Sequence, residues 1–169
     1  MEISLAGRVL LGTILICIAA VMAAPVLSED QLRRGEYLAT IMNCAGCHST
    51  GALRGRPQPR GHLAGATVGF QVPGHGIVYP PNLTPDRETG LGTWSGTDIV
   101  KAVRSGVRPD GRVLAPAMPW HSFGALTDAD AEALAAYLKT VKPVRHRVPA
   151  TVDGAEPAKA PFLALRIPE

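Results

Sequence analysis

The chain has 169 residues, a formal net charge of +3, 18 glycines and 15 prolines. This length suits one modest domain with extensions. The charge is too small and too dispersed to indicate nucleic-acid binding. The abundance of glycine and proline favours short helices joined by long, shaped loops over a regular sheet.

The first 23 residues have the composition of a secretory signal. Arg8 precedes an almost wholly apolar run over residues 9–21, and small residues around Ala23 offer a cleavage point before Ala24. The run is short for a membrane span, which needs about 20 apolar residues. We therefore expect cleavage and a periplasmic mature protein; the alternative is an uncleaved anchor facing the same compartment. Cys17 lies inside the run and would be discarded with it.

A helix is predicted to begin at residues 28–31 (SEDQ), which form a capping-box pattern. One helical stripe contains Leu32, Gly35, Leu38, Ala39 and Met42. Glycine in a helix costs roughly 1 kcal/mol relative to alanine. We interpret Gly35 as a point of close contact and predict that the first and last helices cross near Gly35 and Tyr137.

The most informative motif follows that helix, at residues 44–48 (CAGCH). Cysteines three positions apart at a helix end can each form a thioether with one vinyl group of a haem. A histidine directly after the second cysteine can then bind the iron. A zinc site would need a second pair of ligands at matching spacing, and a thioredoxin-like dithiol would need a βαβ context. We therefore expect Cys44, Cys47 and His48 to hold one covalent haem c, and no structural disulfide.

The rest of the chain alternates loops with two further helices. No convincing helix is predicted over residues 49–93, although residues 68–72 and 77–79 can pair as a short hairpin. A second helix is predicted from a Ser95 cap to Gly106, and a third from a Thr127 cap to the proline at 143. Residues 146–169 are predicted to form an extended, proline-rich tail, beyond a domain of residues 24–145.

In this order of elements, and in several short runs, the chain resembles the class I c-type cytochromes. It is similar in particular to the single-haem cytochrome domains of bacterial membrane-associated dehydrogenases. The matching runs are residues 34–38 (RGEYL), 81–86 (PNLTPD), 90–95 (GLGTWS), 110–111 (DG) and 116–119 (PAMP). The resemblance implies an all-α fold of three to four short helices around one haem, with long loops rich in glycine and proline.

The resemblance also places the distal iron ligand at Met118, in the loop that Pro116 and Pro119 stiffen. Methionine is more often a core residue, and a bis-histidine haem using His62, His75 or His121 is the competing interpretation. Five other side chains are candidate donors to the haem propionates: Trp94 foremost, with Tyr79, Asn82, Arg104 and Arg112. Trp94 can equally be plain core packing.

These observations predict an electron carrier and not an enzyme, because iron held by both histidine and methionine has no open position for substrate. The expected partners are a periplasmic or membrane-bound dehydrogenase as donor and an oxidase or another cytochrome as acceptor, with peripheral attachment to the inner membrane as one form. The alternative is a haem enzyme of the peroxidase kind, or a gas-binding cytochrome, with a displaceable distal ligand.

Overall fold

The computed structural model describes residues 27–153 and 157–166, and in these ranges it has five helices and a small three-stranded sheet joined by long loops. The helices are α1 (Glu29–Ile41), α2 (Cys44–His48), α3 (Gly96–Ser105), α4 (Trp120–Phe123) and α5 (Asp128–Thr140). The strands are β1 (Gly69–Val72), β2 (Gly76–Val78) and β3 (Phe162–Leu163), and single 3-10 turns form at Ala52–Arg54 and Pro59–Gly61. The predicted signal, residues 1–23 with Cys17, lies outside the described residues. Across the described ranges, the helices are all too short or too polar to cross a membrane.

The three longer helices begin at the predicted caps. The Ser28 hydroxyl accepts from the Gln31 amide at 3.1 Å, and the Thr127 hydroxyl accepts from the Asp130 amide at 3.1 Å. Ser95 and Asp98 form a reciprocal capping box at the start of α3. These bonds satisfy amides that have no partner inside a helix, so the predicted starts of α1, α3 and α5 are confirmed.

Helices α1 and α5 cross at Gly35, as predicted. A β-carbon built on Gly35 would lie 2.1 Å from the Ala133 carbonyl oxygen and 2.6 Å from the Tyr137 β-carbon. Real side chains do not approach so closely, so the contact requires the absence of a side chain at residue 35. Nearby, the Arg34 side chain joins the two helices through a 2.7 Å ion pair with Asp130.

The core lies where α1, α3 and α5 meet the loops that connect them. Its fully buried members come from all three helices and from two loop positions. They are Leu38, Ala39, Leu63, Leu91, Ile99, Leu134, Ala135 and Leu138. Met42 packs against this cluster, as its place on the apolar stripe of α1 predicts.

The predicted hairpin forms, and a third strand extends it. β1 and β2 are antiparallel, with Phe70 opposite Val78, and β3 from the far C-terminal region pairs parallel to β1. The helices carry the core, as the all-α prediction requires, and the sheet is an addition at the periphery. The pairing of Phe162 and Leu163 was not predicted, because two residues are too few to give a strand pattern.

The C-terminal region from residue 144 onward is hydrogen-bonded to the rest of the domain. The Asn82 amide donates to the Val144 carbonyl at 2.8 Å, and the Tyr79 hydroxyl donates to the Ala160 carbonyl at 3.0 Å. The division of the chain at residue 145 stays a prediction, but residues 144–153 and 157–166 lie against the domain rather than away from it.

Candidate haem site

The local backbone explains how two thiols and an imidazole come to share one short helix. Asn43 takes a left-handed conformation, with φ of 55°, and separates α1 from α2. A β-carbon on Gly46 would lie 2.4 Å from the Asn43 side-chain amide. The glycine between the two cysteines therefore lets α2 turn tightly over Asn43, and places Cys44 and Cys47 three residues apart on a single helical turn.

His48 is buried and has one ring nitrogen already bonded. It is 6% exposed, and its Nδ1 lies 2.8 Å from the Pro81 carbonyl oxygen. Since a carbonyl only accepts, Nδ1 carries the proton and Nε2 keeps a free lone pair. Burial lowers the pKa of His48, opposed in part by the bond to Pro81, so the ring is neutral at neutral pH. A neutral imidazole fixed through Nδ1 is the form in which histidine binds a metal ion.

The two cysteines are free and partly buried. Burial raises the pKa of the Cys44 thiol to about 11, and burial likewise raises the pKa of Cys47. Both side chains are therefore neutral thiols in an apolar setting at neutral pH. Among the described residues, no group of three or more His, Cys, Asp and Glu side chains is arranged to hold a metal ion, so a zinc site finds no further ligands there.

Met118 lies in a tight turn that is anchored to the end of α3. Its amide donates to the Ala115 carbonyl at 3.0 Å, and its own carbonyl accepts from the Trp120 amide at 2.8 Å. The Trp120 ring covers Gly106, where a β-carbon would lie 2.6 Å from the ring, and the Leu114 amide donates to the Gly106 carbonyl at 2.7 Å. The methionine loop is therefore clamped on both sides, and the Met118 side chain is half-buried.

The competing histidines all lie on the surface. His62, His75 and His121 are exposed, the His75 ring contacts the nearby Pro73 carbonyl, and the His121 ring stacks on Trp120. His48 is by contrast buried. The assignment of Met118 as the second ligand stays a prediction, and the bis-histidine alternative stays open with it.

Two of the predicted propionate donors have different surroundings. The Tyr79 hydroxyl donates its single proton to Ala160, so a propionate would have to displace that bond. Trp94 is half-buried against the core, and the Arg108 guanidinium stands over its ring, 5.5 Å from the centroid. Burial raises the pKa of Tyr79, so the hydroxyl keeps the proton that it donates to Ala160.

Arg108 is a further candidate donor to a haem propionate, and the sequence analysis did not identify it. Its Nε atom is buried without a hydrogen-bond partner among the described residues, and it lies 3.5 Å from an Asp110 carboxylate oxygen, near enough for charge attraction but not for a hydrogen bond. A buried donor without an acceptor is costly. In the sequence, Arg108 is part of a turn that ends at Gly111, and nothing there distinguishes it from its exposed neighbours.

Two neutral thiols and a neutral buried imidazole on one helical turn are the groups that can attach a c-type haem and bind its iron. A family model described as Cytochrome c matches residues 32–142. The chain belongs to the cytochrome c family, and the resemblance seen in its motifs is confirmed.

Three of the similar proteins are named as subunits of bacterial dehydrogenases. The chain is 42% identical over 123 residues to one of the subunits of nicotinate dehydrogenase from Pseudomonas putida, covering 73% of this chain and 10% of the relative. It is 38% identical over 117 residues to the cytochrome c subunit of a quinone alcohol dehydrogenase of Gluconobacter oxydans, covering 69% and 23%. It is 38% identical over 133 residues to the gluconate 2-dehydrogenase cytochrome c subunit of Pantoea cypripedii, covering 76% and 28%. The chain thus spans at most 28% of the length of these relatives.

The residues present fit the covalent haem c that the family implies. Cys44 and Cys47 are free thiols, His48 offers a free Nε2, and Arg108 has a buried donor in need of an acceptor such as a carboxylate. The importance of Pro81 as acceptor for His48 was also missed by sequence reasoning. In the sequence, Pro81 is noticeable only as the first residue of the PNLTPD run, and that run indicates the family without indicating a role for Pro81.

Proposed function

We propose that this chain is a single-electron carrier with one covalent haem, attached through Cys44 and Cys47 and ligated by His48 and Met118. The observation that carries this proposal is the 2.8 Å contact between His48 Nδ1 and the Pro81 carbonyl, within the helix that also bears both thiols. It fixes the orientation and tautomer that an axial ligand needs. The sequence contains three cysteines, and only Cys44 and Cys47 form such a pair, which supports a single haem.

The role of the protein side chains is to keep the iron site unchanged as it gains and loses one electron. A haem with a histidine and a methionine ligand supplies reversible one-electron chemistry. His48 is held by Pro81, and Met118 is held by its clamped turn, so neither ligand has to move. Arg108 and Trp94 lie side by side and suit a propionate, because a buried carboxylate needs a charged or N–H donor.

The names of the similar proteins support a proposal about the electron donor. Three of them are named as subunits of nicotinate, alcohol and gluconate dehydrogenases. We propose that this chain takes electrons from a periplasmic or membrane-bound dehydrogenase and passes them to an oxidase or another cytochrome of the respiratory chain. We further propose that it is exported to the periplasm and is released from, or held at, the inner membrane.

The test uses the purified, haem-loaded protein. After denaturation and extraction with acid–acetone, the colour should stay with the protein, and the reduced spectrum should change little when carbon monoxide is added. Recovery of free haem b in the extract would rule out covalent attachment. Rapid, complete binding of carbon monoxide would favour the alternative, a haem enzyme or gas-binding cytochrome.

A further inference from the structure

We propose that residues 144–148, the end of the predicted domain together with the start of the tail, act as a brace that sets the hydrogen bond between His48 and the Pro81 carbonyl. This brace works through Asn82 and Thr84, which lie one and three residues after Pro81 in the chain. The inference rests on the proposed function in one respect, since it takes His48 as an iron ligand. It assigns a positioning role to a segment for which the sequence indicated none.

Asn82 is the centre of the brace. It is 1% exposed, and its side-chain amide donates to the Val144 carbonyl at 2.8 Å and to the Thr89 hydroxyl at 3.0 Å. Its side-chain oxygen accepts from the Thr84 amide at 2.9 Å and from the Thr84 hydroxyl at 2.8 Å. The side chain therefore uses its full hydrogen-bonding capacity, and none of it is left for a propionate.

Backbone amides of residues 144–146 also donate hydrogen bonds to the loop that contains Asn82. The Val144 amide donates to the Thr84 hydroxyl at 3.1 Å, and the His146 amide donates to the Thr89 hydroxyl at 3.1 Å. The His146 ring contacts the Ala64 carbonyl through Nδ1 at 2.7 Å. The tail is thus bonded to both loop segments that lie beside His48, those around residues 64 and 82.

Gly65 is in contact with the tail and with the His48 backbone, and so connects the two. The Gly65 amide donates to the His48 carbonyl at 2.7 Å. A β-carbon at Gly65 would lie 2.4 Å from a Val148 methyl carbon and 3.1 Å from the Pro81 carbonyl carbon. Val148 and the Pro81 peptide therefore both pack closely on Gly65, which is itself bonded to the His48 backbone, so the position of the tail and that of the Pro81 carbonyl are linked through this glycine.

This link has a consequence for the iron. A hydrogen bond from Nδ1–H to a fixed carbonyl makes the imidazole a stronger electron donor, which favours the ferric state. If the brace is weakened, the Pro81 loop opens more often, the Nδ1 proton exchanges faster, and the reduction potential rises. Simple exposure of a haem to water has the opposite effect, because water stabilises the more highly charged ferric state.

The experiment uses the haem-loaded protein and two measurements, the hydrogen-exchange rate of the His48 Nδ1 proton by NMR and the midpoint potential. Thr84→Val removes a hydroxyl that joins Asn82 to the tail and keeps the shape of the side chain. The Thr84 hydroxyl donates to Asn82 and accepts from Val144, so two hydrogen bonds are lost. We expect exchange faster by about tenfold or more, since tenfold corresponds to the loss of one buried hydrogen bond, with a rise in potential. Thr140→Val is the matched control, since the Thr140 hydroxyl donates to the Tyr137 carbonyl within the end of α5, and it should leave both quantities unchanged.

Two shortened variants separate the brace from the rest of the tail. A variant ending at Ala150 keeps residues 144–148 and loses β3, and it should exchange like the full chain. A variant ending at Pro143 should behave like Thr84→Val, with a larger effect. If Thr84→Val leaves the exchange rate unchanged, the brace is wrong, and if the variant ending at Ala150 already reproduces the effect, the brace has been assigned to the wrong segment. A lower potential with unchanged exchange would mean that the tail only shields the haem from water, which also overturns the proposal.

Failure of the proposed function looks different. In that case, the unmodified chain would show no covalent haem, or a spectrum in which His48 is not a ligand, before any variant is compared. An intact haem spectrum in every variant, together with unchanged exchange of the Nδ1 proton, would reject the brace and leave the electron-carrier proposal standing.

Discussion

Gly35 on α1 and Tyr137 on α5 lie so close that a β-carbon on the glycine would be 2.6 Å from the tyrosine β-carbon. Gly35→Leu should therefore force the two helices apart and lower the free energy of unfolding by about 1 to 3 kcal/mol, the range found for overpacked cores. Thermal or denaturant unfolding of the haem-loaded protein measures the change.

Gly96→Ala provides the control for this crossing. Gly96 is the first residue of α3, and a β-carbon there meets no atom of the described residues within 4 Å. Alanine is the better helix former, so this variant should be as stable as the unmodified protein or slightly more so. A Gly35→Leu protein with an unchanged unfolding midpoint would contradict the close crossing.

Met118→Ala should remove the weak far-red absorption that ferric haem shows when a methionine sulfur is bound. The potential should fall by on the order of 100 mV or more, because thioether ligation raises it, and carbon monoxide should gain access to the iron. Met42→Leu is the matched control, since Met42 packs against the core cluster, and it should keep the band. If the band and the potential survive in Met118→Ala, a bis-histidine haem becomes the better interpretation.

Gly106→Ala should loosen the methionine loop through two effects. Gly106 has a φ of 70°, and its β-carbon would lie 2.6 Å from the Trp120 ring. Left-handed backbone costs a non-glycine residue roughly 1 to 2 kcal/mol, and the ring contact adds to this. Gly74→Ala shares the positive φ, at 74°, but within the described ranges it meets nothing closer than 4 Å.

The difference between these two alanine variants isolates the contact with Trp120. We expect Gly106→Ala to be the less stable of the pair and to lose the far-red band more readily on mild heating, as followed by absorption. Equal stability of the two variants would show that the ring moves aside without effect on the loop.

The ion pair between Arg34 and Asp130 should make stability depend on pH below about 4. The hydrogen bond from Arg34 holds the pKa of Asp130 below its ordinary value near 3.8. The unfolded chain therefore binds a proton at this residue more readily than the folded chain, so the pair stabilises the fold above that value and loses this effect as the pH falls through the folded pKa. Unfolding midpoints between pH 2 and pH 5 (a range chosen around roughly 3.9, the usual aspartate value) should fall less steeply in Asp130→Asn.

Arg34→Gln tests the cause of that pH dependence. It removes the partner and leaves the carboxylate in place, so the slope should flatten as in Asp130→Asn. A slope that stays as steep as in the unmodified protein would assign the low pKa to the neighbouring Thr127 cap instead.

Features set by neighbouring residues, such as helix caps, could be predicted from the sequence. Contacts between residues far apart in the chain, such as that between His48 and Pro81, could not. The caps at Ser28, Ser95 and Thr127 have local patterns, and the helices begin at those residues. Gly35 was predicted as a crossing because glycine on the apolar stripe of a helix weakens that helix unless a close neighbour requires it. The role of Pro81 in orienting His48 depends on a contact across 33 positions, and no local pattern marks it.

The site residues divide in the same way. The spacing of Cys44, Cys47 and His48 is itself the chemical signal, so the motif could be read directly. A propionate donor, by contrast, is defined by where its N–H is buried and by what else competes for it. Tyr79 is engaged by Ala160, and Arg108 has a buried Nε that no described residue accepts from. Neither fact could be predicted from the sequence, because the first depends on where Ala160 lies in the fold and the second on how the chain folds after α3.

The tail contacts also bear on how fast the chain can fold. Tyr79 and Ala160 are separated by 81 positions and Asn82 and Val144 by 62, and the Arg34–Asp130 pair that joins α1 to α5 spans 96. Contacts that close such long loops cost chain entropy before they contribute stability, and they slow folding. We therefore expect slow folding for a small helical domain, because both the crossing of α1 with α5 and the closure of the tail require distant parts of the chain to meet.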